Sequence, residues 1–66
     1  MKYIVQSCSY GDDKWSFRKE SKDALKILLE LEDVMKGDRR WKSSSAYYRI
    51  IDNNEKVVFV KQHDNV

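Results

Sequence analysis

Cys8 and His63 are the only thiol and the only imidazole in the 66-residue chain. Together they could form a nucleophile–base pair, which needs an activated thiol and a base held at hydrogen-bonding distance. His63 falls in the last residues, 62–66, which read as a frayed tail and could not hold a base in place. Cys8 reads more simply as a small apolar residue in a strand. Asp12 and Asp13 are neighbouring carboxylates, but they sit in a turn cluster that explains them without acid–base chemistry. The sequence carries no glycine-rich phosphate loop, no metal-ligand spacing and no nucleophile elbow. The expectation is a protein with no catalytic residues, no metal and no cofactor.

The segment that could recognise a partner is basic and aromatic. Lys36, Arg39, Arg40, Lys42 and Arg49 stand against Asp38 alone, a local excess of +4 over residues 36–49. Trp41 lies in its middle, and Tyr47 and Tyr48 follow. Arginine forks grip carboxylates or phosphates bidentately, and an exposed tryptophan can stack on a base or fill a partner's pocket. The competing reading folds Trp41 back over the helix end as a lid on the core and leaves the arginines as solvated charges. The candidate partner-binding residues are therefore Arg39, Arg40, Trp41, Lys42, Tyr47 and Arg49.

Those residues need a scaffold, and the pattern of apolar residues gives one. Residues 2–9 and 14–19 alternate around the turn cluster at Gly11 and read as a β-hairpin. The hairpin's loop length decides which strand-1 residues face outward, Tyr3 and Val5 or Ile4, Cys8 and Tyr10. Residues 22–36 read as a helix, with Ser21 as N-cap and Gly37 as the residue that ends it. Ala24, Leu28, Leu31 and Met35, widened by Ile27 and Val34, form its apolar stripe. Such a helix spans about 22 Å, enough to cross four strands. Leu25 and Leu29 stand off this stripe, leaning over a sheet edge or reserved for a contact.

Residues 46–51 and 56–61 are rich in β-branched and aromatic side chains and read as a second hairpin. Asn53 and Asn54 suit its turn, and the expected register sets Ile50 opposite Val57 and Tyr48 opposite Phe59. Tyr47, Arg49, Val58 and Val60 then share the other face. The fold class is α+β: one small two-layer domain over residues 1–61, in the order ββαββ, with a single helix across a four-stranded sheet. One pairing puts strands 1 and 4 side by side and parallel in the middle. An alternative loses strand 2 to loop and leaves βαββ.

Size and composition bound the function. A compact chain of this length has a radius of gyration of roughly 11 Å, and its core supplies only about 3–5 kcal/mol. One cysteine cannot form an internal disulfide, and its lone presence suggests a reducing, cytoplasmic setting. The longest apolar run, residues 57–60, is four residues, far short of a membrane span of about 20. Thirteen basic and 11 acidic residues leave a net charge of +2, low for a dedicated nucleic-acid binder.

These features suggest a non-catalytic interaction protein that binds a larger protein target and inhibits or modulates it. A small stand-alone chain of this kind suits a phage or mobile-element inhibitor of host machinery, such as a defence nuclease. Two other readings compete. One is a nucleic-acid-binding module using the loop at residues 39–42 and the open sheet face. The other is a homodimeric sponge for a nucleotide-like anion. A homodimer is compatible with each, since burying more surface adds stability that a small core lacks.

Overall fold

The computed structural model describes residues 1–41 and 45–62. The chain forms β1 (Tyr3–Ser9), β2 (Ser16–Ser21), α1 (Ala24–Arg40), β3 (Ser45–Ile51) and β4 (Val57–Gln62). The ββαββ order and the two-layer α+β architecture agree with the sequence reading. The radius of gyration is 11.2 Å. Gln62, expected in the tail, closes β4, and residues 63–66 lie outside the described residues. No described helix is long and apolar enough to cross a membrane.

The four strands form one sheet in the order β2-β1-β3-β4, with every neighbouring pair antiparallel. This corrects the pairing that put strands 1 and 4 in the centre. The connection through α1 leaves β2 and steps over β1, so β3 enters the sheet on the far side of β1. The short turn after β3 then gives β4 only the outer edge. The longest apolar run in the sequence thus becomes an edge strand, exposed at all six positions.

One face of the sheet carries α1. Val5 pairs with Ile50, and both pack with Tyr48 against Ile27, Leu31, Val34 and Met35. Tyr3 joins the cluster from the side, so the outward set of β1 is Ile4, Gln6 and Cys8. The helix stripe is rotated from the expected one: Ala24 and Leu28 are exposed, while Asp38 is buried. The second hairpin also slides by two residues, setting Ile50 opposite Phe59 and Tyr48 opposite Lys61. The two-residue shift keeps Phe59 and Val60 on their expected faces, because the period of a strand is two. The irregularity between Ile50 and Ile51, however, pairs Val57 with Ile51 and so moves it off the expected Ile50 face. The turn is built by Asp52, whose carboxylate accepts from the backbone N–H groups of Asn54 and Lys56. Glu55, rather than an asparagine, takes the left-handed conformation there, with φ 61°.

The helix begins and ends differently from the sequence reading. Asp23 is the N-cap and accepts from the Leu25 N–H at 2.9 Å, while Ser21 accepts from the Asp23 N–H one step earlier. The helix runs through Gly37 to Arg40 and is capped at Trp41. A tertiary contact outweighs the glycine. Asp38 lies one turn beyond Val34 on the buried stripe, and Arg18 of β2 holds it in a two-point ion pair at 2.7 and 2.9 Å. Arg18 is the extra residue of a β-bulge, since Val5 faces Lys19 while the next residue, Gln6, faces Phe17. The bulge turns Arg18 toward the helix and fastens the last turn of α1 over β2.

Candidate functional site

The structure divides the five described candidate residues between two places. Arg39 and Arg40 occupy the last turn of α1, both exposed, where their positive charge also suits the negative end of the helix dipole. Trp41 follows as the C-cap, its backbone N–H donating to the Gly37 carbonyl at 2.9 Å. Its side chain is 79% exposed, so it is no lid on the core. The Arg40 guanidinium lies 5.8 Å from the centre of the Trp41 ring, within cation–π range. Lys42 lies outside the described residues.

Beside Trp41 runs an open groove of about 370 Å³ between the C-terminal half of α1 and the edge of β2. Arg18 and Lys19 line one wall, and Asp33, Val34 and Gly37 line the other. Its floor is the polar group that fixes the helix end. Besides the Arg18 pair, Asp38 accepts from the Tyr48 hydroxyl at 2.6 Å, and Arg18 also donates to the Ser7 hydroxyl at 2.9 Å. Burial opposes the charge on Asp38, but the hydrogen bonds from Arg18 and Tyr48 outweigh it and hold the carboxyl below its usual range. Burial, with the neighbouring Asp38 carboxylate, pushes the Tyr48 phenol well above its usual value. The Asp38 bond raises Arg18 as well. The ions here are satisfied by one another, which suits a structural clamp better than a proton-transfer site.

Tyr47 and Arg49 lie on β3 and point to the sheet face without a helix. Arg49 donates through Nε to the Gln6 side chain at 2.7 Å, and its guanidinium stacks 4.2 Å from the centre of the Trp15 ring. Tyr47 packs against Tyr10, ring centres 5.6 Å apart. The loop after β1 folds over this end of the face, and the Cys8 thiol donates to the Asp12 carbonyl at 2.8 Å. Burial, followed by the carboxylates of Asp12 and Asp13, pushes that thiol upward and disfavours the thiolate. Phe17, Gln6, Arg49 and Val60 form one row across all four strands, exposed at its two apolar ends.

The sequence reading grouped Arg39, Arg40 and Trp41, which follow one another at the end of α1, with two residues that the structure places on the other side of the sheet. Proximity in sequence was the cause: β3 starts a few residues after the helix, yet alternation sends Tyr47 and Arg49 away from it. The reading missed the Arg18–Asp38–Tyr48 clamp, whose members are far apart in sequence. It also missed the role of Trp15, for which a tryptophan next to the turn at Gly11 was the available signal. No described group of three or more His, Cys, Asp or Glu side chains is placed to hold a metal ion. Compared with protein-family models, curated proteins and solved structures, the chain gives no match in any of the three.

Proposed function

We propose that this chain is a non-catalytic interaction protein that binds a larger protein target and occludes or modulates it, with the end of α1 as its anchor. The observation that carries this reading is the 79% exposure of Trp41. A tryptophan buries more apolar area than almost any other side chain, and tryptophan and arginine are the residues that dominate the energy of protein interfaces. Here Trp41 contributes little to its own core, stands between a groove and two exposed arginines, and is fixed by the helix cap. Arg39 and Arg40 supply planar donors for carboxylates on the target.

The nucleic-acid reading has a weaker basis. The Trp15 face that could stack on a base already carries the Arg49 guanidinium, and Arg49 Nε is engaged by Gln6. The anion-sponge reading meets a similar objection, since the arginine in the groove is paired with Asp38 and Asp33 adds a second carboxylate.

The test is affinity capture from cell lysate, with and without nuclease, using the wild-type chain and the Arg40→Ala/Trp41→Ala double variant. The expected result is a stoichiometric protein partner that survives nuclease and is lost with the variant. The variant's thermal midpoint should stay within a few degrees of wild type, since neither side chain is buried. Capture that disappears with nuclease would replace this reading with the nucleic-acid one. Capture that persists in the variant would remove the anchor.

A further inference from the structure

Two arginines are held against neighbouring residues of β1, one on each side of the sheet. Arg18, on the helix side, donates to Ser7 and meets the Asp38 carboxylate at two points. Arg49, on the side away from α1, donates through Nε to the Gln6 side chain at 2.7 Å, and its guanidinium lies 4.2 Å from the centre of the Trp15 ring. Both of these Arg49 contacts are with uncharged groups. Among the described residues, no carboxylate lies within ion-pair distance of Arg49, and its two terminal nitrogens hydrogen-bond to no other side chain.

This arrangement differs from a loose surface charge. A surface arginine gives up side-chain freedom when it binds, but here Gln6 fixes the Nε edge and Trp15 covers one face of the plane, so that ordering is complete in the free chain. A stacked guanidinium keeps its in-plane N–H groups available, and the fork of Nη1 and Nη2 matches the two oxygens of a carboxylate. Arg49 is also half-buried, where a hydrogen bond to its charge is stronger than in water. In the row across the sheet it lies between Gln6 and Val60, with Phe17 beyond Gln6. Val60 and Phe17 are exposed. A charged centre with apolar flanks is the anatomy of a contact from which water is excluded. The row holds one positive charge and no second cation, which suits a single carboxylate better than the greater charge of a phosphate.

We propose that Arg49 is a preorganised receptor for a carboxylate of a protein partner, an aspartate or glutamate side chain on an extended segment with apolar residues on both sides of it. Residues two apart in an extended segment point the same way. The acidic residue would therefore meet the Arg49 fork while its neighbours two positions away lie over Phe17 and Val60. The site rests on the reading of the chain as a protein-binding module and adds a second contact to it, on the side of the sheet opposite the α1 anchor. It needs neither Trp41 nor the arginines beside it.

The test is an NMR titration of the isotope-labelled full chain with the peptide acetyl-Leu-Ser-Glu-Ser-Leu-amide and with its glutamine counterpart, each up to roughly 10 mM so that a millimolar Kd is measurable. The Arg49 Nε–H and Trp15 indole signals should shift, and the Trp41 indole should not. The glutamate peptide should bind at least about tenfold tighter than the glutamine peptide, the factor expected of hydrogen bonds to a charged group. Arg49→Gln should abolish that difference. Val60→Glu sets a carboxylate of the chain itself beside Arg49 and should weaken the glutamate peptide by intramolecular competition. The Arg40→Ala/Trp41→Ala variant should bind the glutamate peptide as wild type does, so the anchor and this receptor fail or hold separately. Equal affinity of the wild type for the two peptides would overturn the proposal, and that comparison needs no variant to fold. So would shifts centred on Trp41, or tighter binding of inorganic phosphate than of the glutamate peptide.

Discussion

Asp38 is the residue on which the end of α1 depends. Its carboxylate is buried and accepts from both Arg18 and Tyr48, and the carboxyl is held below its usual range. A carboxyl depressed in the folded state stabilises the fold above its unfolded pKa of about 3.9, and that stability is lost as pH falls through the folded value. Urea midpoints of the wild type should therefore be flat above about pH 5 and fall below pH 4. Asp38→Asn should lower stability at pH 7 by about 2–3 kcal/mol, less than for a fully buried pair because Arg18 is partly solvated. It should also remove most of the acid dependence. A variant with the same acid slope as wild type would show that other carboxylates control acid unfolding. In a chain of this size such a loss is a large part of total stability, so the comparison needs a stabilising salt or low temperature to keep the variant folded.

At the scale of elements, Gly37 shows how a tertiary contact overrides a local signal. Glycine near a basic residue reads as a helix stop, and no local rule foresees the bidentate pull of Arg18 on Asp38. In the structure Gly37 is helical, and a Cβ added there would meet nothing within 4 Å. Gly37→Ala should therefore stabilise the chain by about 0.4–1 kcal/mol, seen as a higher urea midpoint with unchanged slope. A lower midpoint would mean that the groove beside Trp41 needs the space. The same contrast separates what could be read in advance from what could not. The five elements follow from period and turn chemistry, which are local, as at Gly11 or along Val5, Tyr48 and Ile50. The extension of α1 past Gly37 and the central place of β1 depend on contacts between elements. The N-cap at Asp23 and the turn of the second hairpin are instead local choices, made by the Asp23 and Asp52 carboxylates accepting from nearby backbone N–H groups. Trp41 was legible as a candidate because it sits among charges outside the apolar stripe. The separation of Tyr47 and Arg49 from it needed the strand alternation to be set against the helix layer.

On the scale of the whole molecule, the two edges of the sheet are guarded unequally. β2 carries a bulge at Arg18 and the charges of Lys19 and Glu20, devices that discourage another strand from pairing. β4 presents Val57, Val58, Phe59 and Val60, all exposed, and the only charge within the strand is Lys61. Its exposed side chains lie on both faces of the sheet, Phe59 on the helix side and Val60 on the side away from α1. Val60, 64% exposed on that face, sits directly opposite Arg49. A carboxylate there would guard the edge and meet an opposite charge across the strand, worth about 0.2–1 kcal/mol. Val60→Glu should thus slow the growth of light scattering when the protein is concentrated and warmed, while its thermal midpoint stays equal to or slightly above that of wild type. Equal aggregation rates would place the sticky surface elsewhere on the molecule, with the helix ridge at Leu25 and Leu29 the next to mutate. The small core makes this edge consequential, because a chain with little stability in reserve exposes its strands more often.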